Sequence, residues 1–193
     1  MPAWEWILIA VIIVIAALAI FIATRMASSR KRTGQLKERF GPEYERTVRA
    51  TGEQRAAEAE LAERERKREQ IDVLPLSPVA RDKYVGHWKQ VQSAFVDNPS
   101  SAVGDAERLV TEVMRERGYP IDDFDQRAAD ISVDHPKLVG NYRAAHSIYL
   151  SQEKGDTSTE DQRQAFVHYR ALFEELLAPN HQTTEDNAKE ARA

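Results

Sequence analysis

Two histidines carry the most suggestive chemistry in this sequence. His146 and His168 occur in the similar strings NYRAAH and HYRALF, each beside the apolar stripe of a predicted helix. Tyr142 lies four residues before the first, and Tyr169 directly follows the second. Imidazole titrates near neutrality and is the commonest metal ligand, so two facing rings with phenols beside them describe a ligand or metal groove. The alternative is that both histidines rim a helical bundle and make ordinary hydrogen bonds. The wider pattern favours that alternative. None of the five histidines has an acidic residue three positions before it, the Glu-x-x-His spacing with which helix bundles build di-iron sites.

Other chemistry is sparse. The sequence has no glycine-rich phosphate loop, Walker motif, HExxH or nucleophile elbow. It has no cysteine, which excludes disulfides, thiolate nucleophiles and cysteine-based zinc sites. Asp122, Asp123 and Asp125 lack the glycine and distal glutamate of a calcium loop, and suit the start of a helix instead. His135, before Pro136, reads as a helix cap, and Trp88 reads as core. No catalytic residue, metal ligand or cofactor is expected, and the chain is expected not to be an enzyme.

These residues sit on a helical pattern. Ser77-Pro78 marks a helix start, an N-cap followed by proline at the first helical position. Val85, Trp88, Val91 and Phe95 then form one stripe. Asn98-Pro99 restarts the pattern through Val103, Ala106, Leu109, Val110, Val113 and Met114, and Gly118 ends it. A short helix follows around residues 122–131, with Phe124, Ala128 and Ile131 together. Leu138, Tyr142, Ala145 and Tyr149 predict a further helix, ended by Gly155. Thr159 with Gln162, or Ser158 with Asp161, makes a capping box for the last helix. Its face is Ala165, Phe166, Tyr169, Leu172, Phe173, Leu176 and Leu177. No period-two strand pattern is present. The expected fold is all-α: residues 72–178 as an antiparallel four- to five-helix bundle, and 179–193 as a polar, disordered tail. Residues 77–178 hold 12 Lys/Arg against 17 Asp/Glu, a sign that opposes nucleic-acid binding.

The N-terminus has a different character. From Ile7 to Ala23 every residue is apolar, 17 in succession. With Trp4, Trp6 and Thr24 this makes a segment of roughly 20 residues, which at ~1.5 Å per residue spans a hydrocarbon core about 30 Å thick. Residues 1–24 therefore read as a transmembrane anchor, with Trp4 and Trp6 in the interfacial belt. A cleaved signal is disfavoured, because no Lys or Arg precedes the apolar run. Arg25, Arg30, Lys31 and Arg32 are cationic with no acidic residue among them, which predicts N-terminus out and the remainder cytoplasmic. Ala19 and Ala23 give a small-xxx-small spacing, a weak signal for self-association in the bilayer.

Residues 25–71 join anchor to bundle, with 13 Lys/Arg against 9 Glu. Phe40, Tyr44 and Val48 mark one amphipathic face, interrupted by Gly41-Pro42. Beyond Gly52, the run EQRAAEAELAERERKREQ is rich in helix formers and carries Glu60–Arg64 and Glu63–Lys67 at i,i+4. Its apolar positions are mostly alanine and sustain no coiled-coil seam, so a solvated stalk helix that spaces the domain from the bilayer is expected.

The strings LKERFGPEYERTV (36–48), LPLSP (74–78), VTEVMRERGYP (110–120) and DISVDHPKLVGNYRAAH (130–146) resemble a group of bacterial single-pass membrane proteins with no assigned activity. The resemblance implies an N-terminal anchor, a basic juxtamembrane segment and a place in the bacterial plasma (inner) membrane, and it transfers no functional residue. The leading expectation is a non-catalytic interaction or scaffold module whose partners are the lipid bilayer and an unidentified protein. A metal- or small-molecule-binding domain is the alternative, and an unrecognised enzyme ranks last.

Overall fold

The computed structural model describes residues 30–152 and 154–178, together with Ala16 and Leu18, which are both helical. The rest of the expected anchor, with Trp4 and Trp6, lies outside the described residues, as do Arg25 and the tail 179–193. Among the described residues the only regular elements are α-helices, and none is long and apolar enough to cross a membrane.

The chain continues from α1 (30–40) through α2 (Pro42–Thr51), α3 (Gln54–Arg68), α4 (Pro78–Ala94) and α5 (Pro99–Glu116). The short α6 (Phe124–Asp134), then α7 (Val139–Gln152) and α8 (Thr159–Leu177), complete it. Local chemistry sets most boundaries. Ser77, Asn98 and Asp123 each accept a hydrogen bond from a backbone amide in the first turn of α4, α5 and α6. Of the two possible capping boxes before α8, the Ser158–Asp161 pair forms. His135 does cap a helix, and it serves two: its N–H closes α6 on Ile131, and its carbonyl accepts from Leu138 and Val139 as α7 begins.

The main core lies among α4, α5, α7 and α8, and it holds the whole stripe expected on α8. Trp88 is core, stacked on Phe166 and Phe173 with ring centroids 5.0 and 4.6 Å apart. Neighbours in sequence run antiparallel. Tyr84 near the start of α4 bonds Glu116 at the end of α5, and Gln152 at the end of α7 bonds Ser100 at the start of α5. Within this core the parallel pair is α5 and α8, whose C-terminal ends meet where Arg117 donates to the Leu176 carbonyl. This follows from the order: α7 opposes α5, and α8 opposes α7.

The expected solvated stalk is corrected. Its run is helical, but α3 packs on both α2 and α6. Ala57 and Leu61, one turn apart, are fully buried. Leu61 joins Leu36, Phe40, Tyr44 and Val133 in a second core, so one leucine suffices where other helices supply the bulk. The charges of α3 are specific as well. Arg64 pairs with Glu60 and Glu43, Arg68 with Asp134 on α6, and Glu63 takes Arg66 in place of Lys67.

Two of the four glycines with positive φ shape the packing most directly. Gly41 separates α1 from α2 at φ 49°, ψ −122°, a conformation that a side chain penalises. Gly118 closes α5 in a Schellman turn: its N–H bonds the Arg115 carbonyl, and Tyr119 N–H bonds that of Met114. Its φ is +93°, and a Cβ there would lie 2.5 Å from the Asp72 carbonyl oxygen, where the linker into α4 crosses. Gly118→Ala is therefore expected to destabilise the fold by about 2 kcal/mol or more, combining left-handed strain with a backbone clash. Gly86→Ala, inside α4 with open space around it, is expected to be neutral or to stabilise by roughly 0.5–1 kcal/mol. Chemical denaturation of the two variants checks this; similar midpoints would contradict the close approach of the linker.

Candidate functional site

Three of the four residues expected to line a histidine–tyrosine groove do come together. The Phe124 ring stacks on His146 at 3.6 Å between centroids, 7° from parallel, and packs on Tyr142 at 4.9 Å. Tyr142 meets Tyr169 edge-on at 6.3 Å. His168 makes no ring contact with this group among the described residues. The tyrosines are core residues with no exposed surface. Tyr142 accepts from Arg127, which also bonds Glu107 and the Ile121 carbonyl. Burial raises the pKa of both phenols, and for Tyr169 the carboxylate of Glu107 adds to the rise. Two neutral phenols and Phe124 form an aromatic cluster stitched by Arg127, and Phe124 covers one face of His146. No group of three or more His, Asp or Glu among the described residues is arranged to hold a metal ion.

The most concentrated electrostatics lie elsewhere, around Glu43. Its carboxylate is 1% exposed and receives a bidentate pair from Arg143 at 2.7 and 2.9 Å, with a third bond from Arg64 at 2.9 Å. Arg64 also donates to Ser132 on α6. Burial pushes the Glu43 pKa up, but the hydrogen bonds and charges of Arg143 and Arg64 outweigh it and leave the carboxyl below its ordinary value. One α2 carboxylate thus binds α3 and α7, and α6 through Arg64. A polar cleft of about 500 Å³ opens over this node, with Arg46, Lys67, Glu60, Glu63, Asp123 and Asp125 among its walls. Below it, Asp130 is buried with one oxygen held by Gln126 and the other without a partner among the described residues; burial raises its pKa.

Sequence reasoning passed over Glu43 and Arg143. The signal was present, because residues 43, 44 and 47 share one face of α2. That face carries Glu43 and Thr47 beside Tyr44, and all three are buried. An acid on an apolar stripe demands a cationic partner. Which cation answers is a tertiary matter.

A second concavity, of about 400 Å³, lies between α4 and α8. Here α4 rests on α5 and reaches α8 through Trp88 and Phe95, so the two helices do not close on each other. Trp88, Phe173 and Leu177 form an apolar floor, and the rim holds Arg81, Lys89 and Arg170 with one acid, Glu174, paired to Arg170 at 3.5 Å, which leaves the rim net positive. The shape and chemistry suit an amphipathic helix with acidic flanks. A smaller hollow near His135 and Glu175 is bounded by a bond of 3.2 Å between those side chains. Burial lowers the His135 pKa against the opposing pull of Glu175.

No protein-family model, no curated protein and no solved structure matches this chain.

Removing Arg143 should show what the Glu43 node contributes. Arg143→Met leaves a buried carboxylate short of its bidentate partner and is expected to cost about 3 kcal/mol in urea unfolding. Because the folded Glu43 pKa is lowered, its stabilisation is complete above the ordinary value of 4.5 and is lost as pH falls through the folded value. Glu43→Gln is therefore expected to flatten the acid limb of the stability–pH curve. An unchanged acid limb would show that Glu43 is ionised no more readily in the folded state than in the unfolded one.

Proposed function

We propose that this chain is a membrane-anchored, non-catalytic interaction module held at the cytoplasmic face of a bacterial plasma membrane. The anchor rests on the 17 uninterrupted apolar residues from Ile7 to Ala23, and its orientation on Arg25, Arg30, Lys31 and Arg32. The observation that carries the interaction reading is the groove between α4 and α8, an apolar floor of Trp88, Phe173 and Leu177 under a rim of three cations and one acid, Glu174. An amphipathic helix of a partner protein, with carboxylates flanking its apolar face, satisfies both parts. The floor supplies the area removed from water, while the rim selects partners by charge.

The test is site-specific photocrosslinking in cells. A photoreactive residue at Gln92, exposed on the groove, is expected to capture a defined membrane or cytoplasmic protein. Lys89→Glu combined with Arg170→Glu should abolish that adduct while leaving the helical circular dichroism unchanged. No reproducible adduct, or one indifferent to charge reversal, would sink the groove as a docking site. Orientation is checked separately with a C-terminal reporter fusion, expected to report the cytoplasm; a periplasmic signal would overturn that assignment.

A further inference from the structure

The juxtamembrane helices have a defined register. Thr33 on α1 donates to Glu58 on α3 at 2.7 Å, and Arg39 reaches Glu65 at 3.1 Å, so α1 and α3 run side by side in one direction. Lys37 pairs with Glu45 at 3.5 Å and lies 5.1 Å from the Tyr44 ring centroid, while α2 forms a hairpin with α3 and runs the opposite way. One helical turn back from Thr33 and Glu58 lie residues 30–32 and Gln54-Arg55; one turn on from Glu45 lies Arg49. The start of α1, the end of α2 and the start of α3 therefore share one end of the molecule.

That end is strongly basic. Arg30, Lys31, Arg32, Arg49 and Arg55 are all exposed there. Two carboxylates stand near them. Glu53 is exposed at the turn, whereas Glu58 is half-buried and accepts from Thr33, Gln54 and Tyr44. Residues 77–178 carry the opposite balance, 12 Lys/Arg against 17 Asp/Glu, so the molecule is electrically two-ended. Chain length also limits where the basic end can lie. The apolar run stops at Ala23, and the seven steps to Arg30 cover at most ~25 Å even when fully extended.

We propose that the start of α1 and the α2–α3 turn form a single headgroup-binding surface, in which Arg49 and Arg55 join Arg30–Arg32 against an anionic bilayer. This inference rests on the anchor reading above and extends it from the linear flank to a folded face. A cluster of cations near a negatively charged leaflet is attracted within about one Debye length, ~10 Å at 0.1 M salt. Because α1 and α3 are packed into the rest of the fold, the same attraction orients the bundle relative to the membrane.

The test uses the full chain in nanodiscs. The native sequence has no cysteine, so Ala50→Cys, on the exposed surface of α2 beside Arg49, provides one labelling site for a fluorescent donor. Energy transfer to a headgroup-attached acceptor is expected to be about twofold higher with about 30% phosphatidylglycerol than in phosphatidylcholine alone. The difference should vanish near about 0.5 M NaCl, where screening is short-ranged. It should also vanish in Arg49→Gln/Arg55→Gln, with helical circular dichroism retained. Equal transfer in the two lipids, or no loss in the double variant, would overturn the proposal while leaving the anchor intact. If alkaline carbonate extracts the chain from vesicles, the anchor reading fails and this inference fails with it.

Discussion

The fold depends on the need to neutralise one buried carboxylate. Glu43 lies on the apolar face of α2, where an unpaired charge would cost several kcal/mol. Arg46, three residues on, approaches only to 3.5 Å, and the hydrogen-bonded partners come from far along the chain: Arg64 is 21 residues away, and Arg143 is 100. Satisfying Glu43 therefore requires that the α2–α3 hairpin lie against α6 and α7. The second core is completed in that arrangement, where Val133 of α6 joins Leu36, Phe40, Tyr44 and Leu61. The bonds from Arg68 to Asp134 and from Arg64 to Ser132 fasten the same seam. Ion pairs of this kind contribute more to specificity of docking than to net stability, while the buried apolar groups drive the association.

That docking changes what the charged segment does. A free helical stalk would give the bundle a wide range of orientations, whereas a packed hairpin makes the first turn of α1 part of the rigid body. Whatever holds the N-terminal end of α1 then positions the bundle as well. The two larger concavities differ in kind for the same reason. The cleft over Glu43 is occupied by internal ion pairing, with opposite charges facing across it. The groove between α4 and α8 exists because α4 is held on α5 and reaches α8 mainly through aromatic rings, which leaves an apolar floor partly uncovered.

Much of this was legible along the chain, and for identifiable reasons. Caps at Ser77, Asn98 and Asp123 are short-range hydrogen bonds, so the residues that make them lie within three positions of the amides they satisfy. The Gly118 stop is likewise local, a left-handed residue that closes its own helix. Every residue of the α8 stripe is buried, since a seven-residue face on one helix leaves little choice about which side turns inward. The histidine pair was less legible. Similar strings around His146 and His168 suggest a shared groove, but rotation of each helix decides which ring points where. Only His146 joins Tyr142 and Tyr169 through stacked and edge-on rings.

By itself, the sequence determined that the described chain is all-helical, where most helices begin and end, and which face of α5 and of α8 turns inward. These are matters of periodicity, capping and backbone freedom, all settled within a few residues. Only the tertiary structure decided that α3 is a packed element, that Glu43 is the charge on which the assembly closes, and that α5 and α8 run parallel. It also decided that Arg49 and Arg55 stand level with Arg30–Arg32. The physical reason is common to all of these. A buried charge, a lone leucine or an exposed arginine acquires its role from groups brought beside it, and those groups lie tens of residues away in the chain.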